Sequence, residues 1–266
     1  MWRRFTHLIK HSFLVSLGYR SEVFLWILLS IVPTAVVLLI WVSVYQGASE
    51  LRGFQLSQLL QYLFIATVIS GITSSHFESW RAREIREGKI DYLLTKPISY
   101  LTQVFLHDLG AKIFYIAYSI PIFIFSYWFL SQVLPISGIQ FSLINFLQFC
   151  ILIVYGYLVE FFLALIVLLL TFWFENGEGL EHFKMLTISL LSGMMIPIVF
   201  MPPWLQSIVQ ALPLKYMYAW PIEILQQRQT LQIQDLLYAA AFLLFLYGLV
   251  RLLWRRALLR YCSAGG

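Results

Sequence analysis

Long apolar runs alternate along this chain with short charged ones, and the run lengths set the reading. A helix that crosses the hydrocarbon of a bilayer needs about 20 mostly apolar residues. Val23 to Tyr45 meets that length, with Pro33 as a kink. Gly53 to Ser75 is free of charge but milder, rich in Gln, Ser and Thr, which suits a helix that faces other helices more than lipid. Ile113 to Val159 holds no charged residue and is too long for one helix. Within it, SQVLPISGIQFS (131 to 142) supplies turn residues, dividing the run into a third helix near 110–131 and a fourth over 143–173. Met185 to Met201 is a short fifth, broken by Gly193 and Pro197, and Leu236 to Trp254 is a sixth whose Arg251 can snorkel to the interface. The pattern predicts an all-α integral membrane protein of six transmembrane helices, with residues 1–266 forming one membrane domain.

Two flanking stretches have a different period. In residues 1–22, Trp2, Phe5, Ile9 and Phe13 recur at helical spacing among Arg3, Arg4, His7, Lys10 and His11. That is the pattern of an amphipathic helix lying in the membrane interface. It is not a cleavable leader, because the first long apolar run is too long and lacks a small-residue cleavage site. At the other end, five of the nine prolines fall between Pro197 and Pro221, so no straight helix crosses that region. Within the outer segment 202–234, Trp204, Leu205, Ile208, Val209 and Leu212 line one helical face. A short outer interfacial or re-entrant helix is expected there, since irregular backbone at membrane depth must lie against protein or a water-filled cavity.

Composition agrees: 60% of the 266 residues are hydrophobic and 12% charged, about half the charge of a soluble domain. The net charge of +5 could suggest nucleic acid, but its distribution gives another cause. Of the 18 Lys and Arg, only Arg52, Lys215 and Arg228 fall on the side opposite the termini. The positive-inside rule then makes both termini cytoplasmic and accounts for the charge, with no nucleic-acid partner needed. Cys150 in an apolar run and Cys262 in the tail do not form a disulfide framework.

Signatures of chemistry are missing. The sequence has no G-x-x-x-x-G-K-[ST], no H-E-x-x-H and no G-x-S-x-G, so no catalytic residue is assigned. Glu175, Glu178, Glu181 and His182, in ENGEGLEH, could hold a metal in principle, but a solvated turn between the fourth and fifth helices explains them, and no metal site is assigned. The exception to apolar helix interiors is Glu160 in YGYLVEFFLALI. A carboxylate in a spanning helix costs about 2.5–3.5 kcal/mol on insertion scales, so it must face protein or water, or be protonated. Glu160 is therefore a candidate polar point in a translocation path; a carboxyl bonded to a neighbouring Tyr or Ser is the plainer alternative. Gly156, one turn earlier, would let another helix approach the same face.

The densest charge lies in residues 77–96. Phe77, Trp80 and Ile85 mark an apolar stripe, Arg83 and Glu87 can pair one turn apart, Gly88 fits a C-cap, and IDYLLTKP adds a second step that Pro97 stops. Basic residues alone would satisfy the topology rule. The interleaved acids point to a short amphipathic helix on the cytoplasmic surface that docks against a partner.

REIREGKIDYLLTKPIS resembles a signature of ABC-two type exporter permeases, in the branch named for daunorubicin- and viologen-type export. The matching residues are Ile85, Arg86, Gly88, Ile90, Asp91, Leu94, Pro97 and Ile98. SGMMIPIVFMPPWLQSIVQALPLKYMYAWPIEIL (192 to 225) is similar to a second pattern of that branch. The acidic loop before the fifth helix and Glu160 match no family pattern. The resemblance implies that residues 77–96 are a coupling helix docking in a groove of a separate ABC ATP-binding subunit. Trp80, Arg83, Glu84, Arg86, Glu87, Gly88 and Asp91 would form the docking surface. It also implies a second permease chain, identical or related, to complete the path, and export across a bacterial plasma (inner) membrane. No cofactor would be bound by this chain, with ATP and Mg held on the partner ATPase. Two other readings, an intramembrane lipid-modifying enzyme and a membrane assembly factor, would need polar clusters or paired membrane histidines that the sequence does not display.

Overall fold

A computed structural model describes residues 2–136, 138, 142–174 and 177–261. Most of them are helical: α1 (Trp2–Gly18), α2 (Arg20–Tyr45), α3 (Leu56–Thr73), α4 (Glu78–Arg86), α5 (Ile90–Leu94), α6 (Tyr100–Val133), α7 (Leu143–Leu170), α8 (Gly177–Leu191), α9 (Pro203–Ala211), α10 (Ala219–Leu225) and α11 (Ile233–Arg260). A two-stranded antiparallel hairpin, β1 (Glu50–Leu51) and β2 (Phe54–Gln55), joins α2 to α3. The all-α membrane architecture expected from the sequence is present.

Five stretches among the described residues are long and apolar enough to span a bilayer: Arg20–Tyr45, Leu56–Arg86, Tyr100–Val133, Leu143–Leu170 and Ile233–Arg260. The expected fifth of six spans takes another form. Its helix, α8, starts eight residues earlier than Met185 and has 15 residues, about 22 Å at the α-helical rise and short of the roughly 30 Å hydrocarbon. Beyond Leu191 the chain bends at Ser192 and Gly193 and continues through a 3₁₀ turn at Ile198–Phe200. The break foreseen at Gly193 and Pro197 is therefore real, and it ends the helix outright. Helix α6 begins at Tyr100, ten residues before expectation, where the Ser99 hydroxyl accepts the Thr102 amide at 3.3 Å. The turn between α6 and α7 falls where the sequence put it, although Ser137 and Ile139–Phe141 lie outside the described residues.

Burial sorts the helices. α3 and α7 are the central ones, with Leu59, Leu60, Tyr62, Ile69, Leu152, Val159 and Leu168 buried, whereas α2 and α6 leave rows such as Trp26, Leu29, Val32, Ile124 and Phe125 exposed. The polar content of α3 thus goes to other helices, as its composition implied. Thr67 meets Thr34 of α2 at 2.9 Å, and the Gln61 amide oxygen accepts from Gln226 at 2.8 Å.

The segment between α8 and α11 returns into the bundle. Trp204 and Ile208 of α9 are exposed, while Val209 is buried. A second 3₁₀ turn, Pro213–Tyr216, and α10 then bury Tyr216, Met217, Tyr218, Ile222 and Ile224 against α7 and α3. Gly156 of α7 faces the Met217 backbone, where an added Cβ would lie at an ordinary 3.5 Å. What approaches Gly156 is this irregular segment and not a regular helix.

Helix α1 lies along α6. Ser12 is buried and donates to the His107 carbonyl at 2.7 Å, and the Phe13 and Phe114 rings meet edge-on at 5.4 Å. The approach is close enough that a Cβ on Gly110 would fall 2.6 Å from the Ile9 carbonyl oxygen. Leu14, Val15 and Leu17 remain exposed on the other side.

Candidate functional site

The charged segment folds as two short helices around one turn. The Gly88 amide bonds the Ile85 carbonyl at 3.1 Å and the Lys89 amide bonds the Glu84 carbonyl at 3.0 Å, with Gly88 at φ +73°. This double bond closes α4 and needs a residue that tolerates the left-handed region. Phe77, Ala82, Ile85 and Ile90 turn inward onto Phe161, Ala164, Leu165 and Leu168 of α7 and Val250 and Ala257 of α11. Arg83, Arg86, Glu87, Lys89 and Tyr92 face outward. Trp80 departs from the expected apolar stripe: it is 39% exposed, with the Arg81 guanidinium 4.1 Å over its ring.

The charges also pair differently from the sequence reading. Glu87 pairs with Lys89 at 2.6 Å, and the ammonium holds the Glu87 carboxyl below its ordinary range. Glu84 takes Arg81 at 2.7 Å. Asp91 accepts from the Tyr261 hydroxyl at 2.8 Å, tying α5 to the end of α11. Of the expected docking residues, Arg83, Arg86 and Glu87 are on the open face and Trp80 is at its edge, whereas Glu84, Gly88 and Asp91 are half-buried.

Between α3 and α4 the helix is interrupted at residues 74–77. A helix end leaves carbonyls without partners, and cations are favoured there. Two lysines from other helices meet this need: Lys112 of α6 donates to the Ser74 carbonyl, and Lys184 of α8 donates to the Ser75 carbonyl at 2.9 Å. Lys184 is 3% exposed at its side chain and lies 2.5 Å from Glu78 Oε1 and 3.0 Å from Glu160 Oε1. The Ser75 hydroxyl donates to Asp108 of α6 at 3.1 Å, and the Tyr157 hydroxyl of α7 donates to the same oxygen at 2.8 Å. The joint at the head of α4 is therefore bonded to α6, α7 and α8 through buried polar side chains.

Glu160 is buried, as its apolar setting required, but its partner is a lysine and not a Tyr or Ser. Among the described residues its other oxygen, Oε2, has no hydrogen-bond partner, and neither does Oε2 of Glu78. Glu160 also lines a cavity of about 220 Å3 with Ser70, Ser74, Met185, Met194 and Tyr218. Sequence reasoning missed Lys184, Glu78 and Asp108, treating Lys184 only as a topological charge. The signal was there: a lone acid inside an apolar helix needs a base, and Lys184 directly precedes the apolar run that starts at Met185.

The stretch expected as a solvated turn is helical from Gly177 onward, so Glu178, Glu181 and His182 lie in the first turns of α8. Glu181 accepts from the Ser79 hydroxyl and lies 3.6 Å from His76, and the His182 ring contacts the Glu178 carbonyl at 2.7 Å. Glu175 lies outside the described residues, as does Cys262. Among the described residues no three His, Cys, Asp or Glu side chains converge as metal ligands.

No curated protein matches the chain. A family model described as ABC-2 family transporter protein matches residues 31–265, from the middle of α2 to the C-terminal tail. The chain belongs to the ABC-2 family of transporter proteins, the membrane components of a transport machinery.

Proposed function

We propose that this chain is the permease subunit of an ATP-driven exporter of the daunorubicin- and viologen-type branch, and that α4 and α5 are its coupling helix. A separate ABC ATP-binding subunit, carrying ATP and Mg, docks on the face that presents Trp80, Arg83, Arg86 and Glu87. Glu84, Gly88 and Asp91 hold that face in shape. A second permease chain, identical or related, completes the path. Both termini lie in the cytoplasm of a cell bounded by the plasma (inner) membrane that holds the protein.

One observation carries this reading: the same short helix is open on one side and bonded on the other to Lys184, and through it to Glu160. A partner that contacts α4 differently in its nucleotide-bound and nucleotide-free states biases the joint, and only such differential contact can move an equilibrium. Glu160 is the inward end of that joint and the candidate polar point of the path, where it lines the cavity beside Tyr218.

The test is purification of the tagged chain in mild detergent from its native host, with co-purifying chains identified and ATPase activity assayed. An ATP-binding chain accompanies the wild type and is lost or uncoupled in a Glu84→Ala/Gly88→Pro variant. Absence of any ATPase, together with wild-type behaviour of the variant, refutes the assignment.

A further inference from the structure

A second cavity, of about 300 Å3, opens between α1, α4 and α6; it shares Trp80 with the edge of the docking face and Ser74 with the Glu160 cavity, and its other lining residues belong to neither. Its lining places Ser16 of α1, His76 of the joint, Arg81 of α4, and His107 and Lys112 of α6 around one space. Asp108 is the acid among the lining residues, and its Oδ2 already accepts from Ser75 and Tyr157. Arg81 is 8% exposed. It gives Nη1 to Glu84, while its Nε–H has no acceptor among the described residues. An unpartnered charged donor in a buried setting costs free energy, and a matching anion recovers it. Lys112 spends one of its three donors on the Ser74 carbonyl.

Position selects the anion. The lining runs from Val23, where the apolar part of α2 begins, to Ser74 and His76, where α3 has ended. That is the level at which spanning helices give way to charged segments, the headgroup layer of a bilayer. Val23, Phe77, Phe114 and Tyr115 provide an apolar wall on one side. Next to Ser16, Leu14, Val15 and Leu17 of α1 are exposed, apolar surface that an acyl chain covers and a small ion does not. Arginine and lysine are the usual partners of a phosphate, and basic pockets between helices on the cytoplasmic side take lipid headgroups.

We propose that the cavity formed by Arg81, Lys112, His107 and Ser16 binds the phosphate of an anionic phospholipid, pinning α1 and α4 to α6. The assignment does not depend on what docks on α4.

The experiment uses the full chain, delipidated in detergent and titrated with phosphatidylglycerol, with bound lipid counted by native mass spectrometry. Wild type, Arg81→Gln, Lys112→Gln and Ser16→Asp are compared. Wild type is expected to retain one tightly bound phosphatidylglycerol; Arg81→Gln and Lys112→Gln each weaken it about fivefold, the change for one cation lost near an anionic lipid, and Ser16→Asp weakens it by at least as much by placing an anion beside the phosphate. Ser16→Asp leaves the buried charges in place, so its melting temperature without lipid stays at the wild-type value and the loss reads as binding. Phosphatidylcholine, with the same phosphate and no net charge, binds more weakly. Equal phosphatidylglycerol retention by wild type and Ser16→Asp overturns the proposal. So does stabilisation of the wild type by inorganic phosphate that phosphatidylglycerol does not reproduce, which would make the site one for a free anion.

Discussion

Lys184 of α8 and Glu160 of α7 meet at 3.0 Å inside the helix bundle, both side chains at most 5% exposed. Neither residue belongs to the charged surface segment, yet the same ammonium reaches Glu78, the first residue of α4. One cation thus joins the surface helix α4 to α7 and α8. In a low-dielectric interior such a contact holds only while all its partners stay in place.

Removing the cation leaves two buried carboxylates with nothing between them. Lys184→Met is expected to destabilise the chain by about 3–5 kcal/mol, the range for breaking a buried ion pair from one side. Glu160→Gln should cost less, because Lys184 keeps Glu78 and the Ser75 carbonyl. The triple variant Glu78→Gln/Glu160→Gln/Lys184→Met should recover much of the loss. Thermal unfolding in detergent orders the variants, and a Lys184→Met midpoint equal to wild type would remove the cluster from the account.

The turn after α4 sets the angle between α4 and α5. Gly88 at φ +73° should accept Asn with little loss, while Gly88→Val should cost about 1–2 kcal/mol for the left-handed conformation. Hydrogen exchange at the amides of Gly88 and Lys89 reports the two bonds directly. Exchange in the Val variant should rise at both, and unchanged protection would contradict the turn geometry.

Helix α1 depends on Gly110 for its seat on α6. A larger side chain there meets the Ile9 backbone at once, so Gly110→Leu should displace α1 at a cost of about 1–3 kcal/mol, as overpacking does. Limited proteolysis near Gly18 and Tyr19 should then become faster than in wild type. A rate equal to wild type would show that α1 is not held by this contact.

How much of this could be read from the chain differs by feature. Apolar run length located α2, α3, α6, α7 and α11, because a bilayer imposes that length whatever the partners. Gly88 was legible from local spacing, and so were Phe77 and Ile85 on the buried side of α4, but not the exposure of Trp80. The pairing was not. Arg83 was matched with Glu87 one turn away, but Glu87 lies closer to Lys89 and Glu84 closer to Arg81, choices made by side-chain reach in space. Lys184, Glu160 and Glu78 come from three helices separated by up to 106 residues, and only tertiary packing brings them together. The return of Tyr216–Tyr218 into the core was signalled by clustered prolines, but its depth was set by α3 and α7.

Coupling through α4 is tested most directly by placing a photoreactive benzoylphenylalanine at Arg83 or Arg86, on the open face of α4, and at Ser207 of α9 as a control. Irradiation of native membranes followed by mass spectrometry identifies the captured chain. An ATP-binding chain cross-linked from positions 83 and 86, with none from 207, is the predicted result. Capture of no such chain from either α4 position, or equal capture from 207, would contradict the account.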